Sequence, residues 1–267
     1  MKLTVVGMSG SYAGPESPAS SYLVQATDAD GKVWSVVLDM GSGAFGALQR
    51  HIDPFAVDAI ALSHLHPDHC SDLSGFYVYY KYHPDKGTEF TDRGPIPVFA
   101  PTDAGERICR AYGLPEGETM EKELAHSRWE CRAQVEVGPF QIQAVTVNHP
   151  VEAYGFRITG PSEFDPNKQV VLAYSGDTDV CEGLDVVAKD ADLFLCEAAF
   201  VEGRDDGIQD MHLTGKRAGE VARDAGSKHL VLTHIPSWND PEVTLAEAKA
   251  VYFGQLSVAA PDQTYAI

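Results

Sequence analysis

The 267-residue sequence lacks any apolar run of roughly 18 residues, the length that a membrane-spanning helix needs. It also lacks the basic segment and apolar core of a secretory signal, because Met1 and Lys2 lead directly into an apolar, strand-like stretch. Its five cysteines form no CxxC pair, which is typical of reduced thiols. No linker, repeat or low-complexity tract interrupts the chain. We therefore expect a cytoplasmic protein with no membrane segment, folded as a single domain over residues 1–267.

Basic residues are scarce in this sequence. Lys and Arg together number 20 against 39 Asp and Glu, so the formal net charge is −19, and no basic run exceeds two residues. Proteins that hold many nucleic-acid phosphates present clustered Lys and Arg. The charge therefore argues against nucleic acid as a partner, whereas a small anionic substrate at a cationic site is compatible with it.

The segment HLHPDH directly follows the apolar run 59–62 and contains His64, His66, Asp68 and His69. On an extended chain His64 and His66 project to the same side and can bind one ion. Pro67 helps to fix a bend after them, which directs Asp68 and His69 toward a second ion. Imidazoles and a carboxylate at this density predict a metal site.

Further polar residues follow strongly apolar, β-branched stretches, at the point where each predicted strand ends. Strand ends that meet at one edge of a sheet sandwich can present their side chains to a shared cleft. The residues in such positions are His149, Asp177, Glu197 and His234, while His212 is predicted at the opening of a helix. Capping or turn formation explains any one of these residues, but not all five together with HLHPDH.

The candidate ligands divide into two groups, which predicts two divalent metal ions. His64, His66 and His149 form the first group, Asp68, His69 and His234 form the second, and Asp177 has two carboxylate oxygens with which to bridge them. Such donors suit zinc, and manganese or iron is compatible with the same ligand types. Two metal ions about 3.5–4 Å apart make hydroxide available near pH 7, so the predicted reaction class is hydrolysis.

The hydrophobic pattern also predicts secondary structure. Strands are expected over residues 3–8, 21–27, 33–39, 59–63, 140–147, 154–159, 169–175, 192–196 and 229–234, and helices over 104–112, 120–126, 184–189, 215–225 and 245–253. Asp39, at the end of a predicted strand, is expected to hydrogen bond either backbone or a metal-ligating histidine, with a plain turn role as the alternative. The aromatic segment 76–82 is expected to be mostly core or subunit interface, with a wall that stacks on a purine as the alternative.

These motifs together resemble the metallo-β-lactamase-fold hydrolases over nearly the whole chain. The CEAAF segment at 196–200 and HLT at 212–214 resemble the HEAT-type segment and HxT motif of the RNase Z-like branch. Within that branch, MSGSYAGPESPASSYLV at 8–24, DMGSGAFGALQRH at 39–51, YSGDTD at 174–179 and LTHIPSW at 232–238 are similar to small bacterial cyclic-nucleotide phosphodiesterases. The resemblance implies an α/β fold, a four-layer αββα sandwich with the metals at one edge, and a homodimer.

The same resemblance implies hydrolysis of a small-molecule nucleotide, a 3′,5′-cyclic nucleotide with cyclic AMP foremost, to a 5′-nucleotide by metal-bound hydroxide. We expect Asp68 to orient or deprotonate the nucleophile. His212 is surplus to the metal count, and we expect it to protonate the leaving oxygen while Glu197 holds its imidazolium.

Members of the branch that process precursor tRNA carry a long arm between the third histidine and the bridging aspartate. Here that interval, 150–176, holds 27 residues and is predicted to be a simple hairpin. Two alternatives stay open: a hydrolase of RNA 3′ ends or of esters, thioesters, lactones or sulfates, and a non-hydrolytic di-iron redox protein or metal-binding regulator.

Overall fold

The computed structural model describes all 267 residues. The strands are β1 (Lys2–Gly7), β2 (Ser21–Thr27), β3 (Val33–Leu38), β4 (Ala59–Ala61), β5 (Ile96–Ala100), β6 (Leu124–Arg128), β7 (Gln134–Val137), β8 (Phe140–Thr146), β9 (Tyr154–Pro161), β10 (Gln169–Tyr174), β11 (Leu193–Glu197), β12 (His229–Thr233), β13 (Gln255–Val258) and β14 (Thr264–Ala266). The helices are α1 (Ala44–Leu48), α2 (Pro67–Cys70), α3 (Leu73–Tyr82), α4 (Ala104–Tyr112), α5 (Glu182–Ala188), α6 (Gly215–Asp224) and α7 (Pro241–Lys249). None of these helices has the length and hydropathy to cross a bilayer.

The strands form two seven-stranded mixed sheets. The first has the order β14-β1-β2-β3-β4-β5-β6 and the second the order β13-β12-β11-β10-β9-β8-β7. In the first sheet the pairs from β14 to β3 are antiparallel and those from β3 to β6 are parallel. In the second sheet the pairs from β7 to β10 are antiparallel and those from β10 to β13 are parallel. The two halves of the chain therefore build similar sheets, and only β14 returns to the sheet of the first half.

Three apolar cores separate four layers. The core between the sheets contains inward-facing residues of both, among them Leu3, Val36, Phe140 and Phe156. A second core lies between the first sheet and helices α1, α3 and α4, and a third lies between the second sheet and helices α5, α6 and α7. Because each sheet is buried on both faces, the predicted αββα sandwich is confirmed.

The helix predicted over residues 120–126 is wrong. Met120 and Leu124 are buried and four residues apart, which matches a helical period. In the structure Met120 begins a turn that Glu123 N closes by donating to the Met120 carbonyl, and Leu124 then begins β6, which pairs in parallel with β5. Pairing with a strand about 28 positions earlier overrides the local pattern.

Other elements differ in position or were missed. Helix α7 begins at Pro241 rather than 245, because the Asp240 carboxylate accepts from Glu242 N and Pro241 fits the first turn. Helices α1 to α3 and strands β5, β6, β7, β13 and β14 were not predicted. In α3, Phe76, Tyr77 and Tyr80 are buried in the second core, as expected of core residues, whereas Val78 and Tyr82 of the same segment are exposed.

The interval between His149 and Asp177 is a compact hairpin, as predicted. Strands β9 and β10 pair from Pro161 with Gln169 to Phe156 with Tyr174. Residues 162–168 alone connect them, and Asn167 N donates to the Asp165 carboxylate within that turn. No additional segment extends from this part of the sheet.

We expect Phe156→Ala to lower the free energy of unfolding by about 3–5 kcal/mol. The Phe156 ring is fully buried between the sheets, with its centroid 5.1 Å from that of Trp129 and 6.1 Å from that of Tyr174, so truncation leaves a cavity. Urea denaturation followed by circular dichroism measures the change. The control is Phe253→Ala, whose ring is 87% exposed and whose loss should change stability by about 0.5 kcal/mol or less. Equal losses of unfolding free energy in the two variants would contradict the burial of Phe156 between the sheets.

Candidate metal centre

The HLHPDH segment changes from extended chain to helix between its histidines. Strand β4 ends at Ala61, and His66 still has extended backbone (φ −68°, ψ 148°) where it precedes Pro67, the first residue of α2. The short helix is fixed from outside, since Met40 N donates to the His69 carbonyl at 2.7 Å. A Cβ on Gly41 would overlap the Asp68 carbonyl oxygen, so this close approach requires glycine. Sequence and local packing thus place the two pairs of ligands on either side of one bend.

The first ligand group consists of three imidazoles. His66 Nδ1 lies 3.0 Å from His64 Nε2 and 3.2 Å from His149 Nε2. Burial lowers the pKa of each of the three rings, and neighbouring histidines lower the pKa of His64 further, to well below 6.5. Neutral imidazole is the form that binds metal, so these three rings can bind an ion without first losing a proton.

The second group surrounds Asp177. Its Oδ1 lies 3.2 Å from His69 Nε2, and its Oδ2 lies 3.1 Å from His234 Nε2. Asp68 Oδ2 completes the group at 3.5 Å from His69 Nε2 and 3.8 Å from His234 Nε2. Asp177 Oδ2 is also 3.7 Å from His64 Nε2 in the first group. Asp177 therefore lies between the two groups, where the sequence predicts the bridging ligand.

The residues of both groups fit divalent cations. His69 Nε2 and Asp177 Oδ1 are buried and lie 3.2 Å apart, but they do not have the geometry of a hydrogen bond, so neither atom has a partner, although polar atoms removed from water normally do. Burial alone would raise the pKa of Asp177, but His234 and His69 outweigh it and hold that pKa well below its usual range. Imidazole nitrogen and carboxylate oxygen are donors that zinc and similar ions accept. The buried His and Asp cluster could therefore bind metal ions.

Four of the five imidazoles are oriented by a hydrogen bond at Nδ1. The partners are the Ser63 hydroxyl for His64 at 3.1 Å, Asp39 Oδ2 for His69 at 2.7 Å, the Met211 carbonyl for His149 at 2.9 Å and the Ser20 hydroxyl for His234 at 2.8 Å. With Nδ1 engaged, Nε2 of each ring faces the centre. The hydrogen bond expected of Asp39 is thus present. The sequence motifs do not single out Ser20 or Ser63, although the position of Ser63 directly before HLHPDH is a usable signal.

Glu197 and His212 form a third group beside the other two. Glu197 is fully buried at the end of β11 and accepts from Thr178 N at 2.9 Å, Ala199 N at 3.1 Å and His212 Nδ1 at 2.8 Å. Burial lowers the pKa of His212, but the Glu197 carboxylate outweighs that effect and raises the pKa to about 9. His212 is therefore protonated at neutral pH, in contrast to the imidazoles of the first group.

The loop that carries His212 is held at several points. Helix α6 begins at Gly215 with Thr214 as its cap, so His212 precedes the helix instead of opening it as predicted. Asn148 Nδ2 donates to the Asp210 carboxylate at 2.9 Å, and Asp210 N donates to Asp179 Oδ2 at 3.0 Å. These bonds place the His212 ring 5.4 Å from that of His149 and 5.6 Å from that of His234, between centroids.

The structure thus brings together every residue predicted for the site, namely His64, His66, Asp68, His69, His149, Asp177, Glu197, His212 and His234. A two-sheet sandwich with such a cluster at the strand ends defines a class of metal-dependent hydrolases.

Comparison with known proteins identifies the family. The model of the Beta-lactamase superfamily domain matches residues 35–235, and the chain belongs to this superfamily. The uncharacterized protein Rv1339 of Mycobacterium tuberculosis is 39% identical, with 100% of this chain and 92% of that protein covered. Ribonuclease Z of Myxococcus xanthus is 26% identical, with 84% of this chain and 85% of that protein covered.

A solved structure supports the same assignment. The metallo-β-lactamase fold protein YhfI of Bacillus subtilis superposes with a TM-score of 0.82 at 25% identity, covering 99% of this chain and 98% of that one. Together these relatives confirm the metallo-β-lactamase fold and the RNase Z-like branch that the sequence motifs indicate.

The raised pKa of His212 predicts a pH-dependent contribution to stability. Because the pKa is 6.5 when unfolded and about 9 when folded, this contribution is complete below pH 6.5 and is lost as the pH rises through 9. In metal-free protein we expect His212→Gln to lower the free energy of unfolding by up to about 3 kcal/mol near pH 6 and by much less near pH 10. Urea denaturation in EDTA across that range measures the difference, with His83→Gln as the control. A difference independent of pH would show that Glu197 does not hold a charged ring.

Proposed function

We propose that this protein is a phosphodiesterase that hydrolyses 3′,5′-cyclic nucleotides, cyclic AMP foremost, to 5′-nucleotides. The observation that carries the proposal is the buried pair of Glu197 and His212, 2.8 Å apart and adjacent to both ligand groups. The alkoxide that leaves a phosphodiester is strongly basic and needs a proton as the bond breaks. A histidine kept protonated beside the reacting centre meets that need.

The proposal includes two divalent ions, with zinc the ion that the donor set favours. His64, His66 and His149 would hold the first ion, and Asp68, His69 and His234 the second, with Asp177 shared. When bound, the ions would neutralise phosphoryl oxygens and lower the pKa of the attacking water. The partnerless His69 Nε2 and Asp177 Oδ1 support this assignment, because both would gain a partner.

Three side chains of the protein would carry out or support the proton transfers. Asp68, with its side chain 10% exposed at the edge of the second group, would orient the attacking water and accept its proton. His212 binds Glu197 through Nδ1, which leaves Nε2 to donate a proton to the ribose 3′ oxygen as the P–O3′ bond breaks. Glu197, bound by two backbone N–H groups as well, would keep the imidazolium in place.

Two features favour a small substrate over RNA. The connection between β9 and β10 is limited to residues 162–168, so no arm is available there to hold a transfer RNA. The net charge of −19 opposes the approach of a polyanion but has less effect on a molecule with one phosphodiester. The similarity to ribonuclease Z, a name that denotes cleavage of RNA, supports the phosphodiester as the bond type.

A turnover panel tests the proposal. The substrates are 3′,5′-cyclic AMP, 3′,5′-cyclic GMP, a 2′,3′-cyclic nucleotide, bis(p-nitrophenyl) phosphate, precursor tRNA and a lactone. We expect release of 5′-AMP from 3′,5′-cyclic AMP, detected by liquid chromatography, and its loss after chelation with recovery on addition of zinc. Turnover of precursor tRNA or the lactone, with none of any cyclic nucleotide, would refute the proposed substrate class.

A pair of variants separates metal binding from proton transfer. Asp177→Ala removes the shared carboxylate, so we expect at least one of the two metal equivalents to be lost, measured by inductively coupled plasma mass spectrometry. His212→Ala should keep both equivalents while kcat falls by about 100- to 10,000-fold. If Asp177→Ala kept both ions tightly, the bridging assignment would be wrong. Unchanged kcat in His212→Ala would remove the proposed general acid.

A further inference from the structure

Two separate chain segments lie side by side at the edge of the metal centre. Ser9 pairs with Ile235 in a β-bridge, and Gly10 N donates to the Ile235 carbonyl at 3.2 Å. Ser11 N lies 3.4 Å from Nε2 of His234, the atom that faces the second ligand group. A Cβ on Gly10 would overlap the His234 carbonyl oxygen, so glycine allows this approach. Residues 9–12 and 234–238 therefore form one wall beside the site.

This wall ends in a pair of exposed aromatic rings. The Tyr12 and Trp238 centroids are 5.1 Å apart with 35° between the ring planes, and Tyr12 OH hydrogen bonds the Ser237 hydroxyl at 2.8 Å. Trp238 is 62% exposed and Tyr12 is 39% exposed, whereas Trp129 is 2% exposed in the inner core. An apolar indole held this far into solvent contributes little to the stability of the fold. The hydrogen bond nevertheless restrains the pair, so a flat surface is already formed.

Ser11 N lies against His234 at one end of the wall, and Tyr12 and Trp238 follow Ser11 and His234 along the two chain segments that form it. A nucleotide whose phosphate lay at His234 would need a flat surface for its base further along the same wall. A nucleobase is planar and apolar on its faces, and it stacks on aromatic side chains without the help of charge. We propose that Tyr12 and Trp238 form the surface on which the nucleobase of the substrate stacks. The inference rests on the proposed function, because it takes a nucleotide as the occupant.

Kinetics with two substrates test the role in turnover. The substrates are 3′,5′-cyclic AMP and methyl riboside 3′,5′-cyclic phosphate, which has the same scissile bond and no base. For Trp238→Ala and for Tyr12→Ala we expect the KM for cyclic AMP to rise by about 5- to 150-fold with kcat retained, as the loss of one base stack implies. The KM for the baseless substrate should stay within about two-fold. Trp238→Phe should recover most of the affinity, and Phe253→Ala, an exposed aromatic outside the wall, is the control.

An equilibrium measurement tests the same surface without turnover. Trp238 is the most exposed of the three tryptophans, so stacking of a base should quench its fluorescence. We expect 5′-AMP to quench the metal-loaded protein, ribose 5-phosphate to have little effect, and Trp238→Phe to abolish the response. This readout is independent of which phosphodiester the protein cleaves, so it separates failure of the stacking surface from failure of the proposed reaction.

Three results would overturn the inference. One is equal quenching by 5′-AMP and ribose 5-phosphate. Another is a similar rise in KM for the two cyclic phosphates, which would indicate a general distortion of the site. The third is a change in sedimentation coefficient in Trp238→Ala with unaltered nucleotide affinity, which would make the ring pair a contact between two copies of the chain.

Discussion

The metal centre depends on one buried carboxylate, that of Asp39. Its Oδ1 accepts from Ser63 N, and its Oδ2 accepts from Ser63 Oγ, His69 Nδ1 and Tyr174 OH, each at 2.7 Å. A carboxylate removed from water is costly unless its lone pairs are occupied, and four donors meet that condition here. Because Tyr174 ends β10 in the second sheet while Ser63 follows β4 in the first, the same group joins the two sheets directly behind the ligands.

Two residues that follow strand ends at the site have an unfavourable backbone conformation, which the contacts around them must hold in place. Asp39 and His234 both have left-handed backbone, with φ values of 57° and 55°, although neither is glycine. Such conformations cost about 1–3 kcal/mol each and persist only where surrounding contacts hold them. Hydrogen bonds to Asp39 and the Ser20 bond to His234 provide those contacts. The strained turns direct both side chains inward, so the site is organised by the fold before any ligand arrives.

The sequence predicts the ligands better than it predicts the elements that carry them. His, Asp and Glu after apolar strands have a chemical signature that one segment, HLHPDH, makes specific. Ser20 has no such signature, because serine is common and its partner His234 is 214 positions away. The local pattern predicts a helix where β6 begins, because two buried residues four positions apart, Met120 and Leu124, fit the spacing of a helix as well as that of a strand. Strand β14 has three residues and pairs with β1 across the whole chain, a contact that no local pattern encodes.

Metal binding and folding would be coupled in this protein, because the ligands come from both sheets. His64 to His69 come from the first sheet and His149 to His234 from the second, so only a chain with both sheets packed together offers a complete site. A cation that binds the folded chain alone, at about a thousand times its dissociation constant, adds about 4 kcal/mol to stability. Metal supply would then govern the fraction of molecules open to proteases, and scarcity would reduce the abundance of the protein as well as its occupancy.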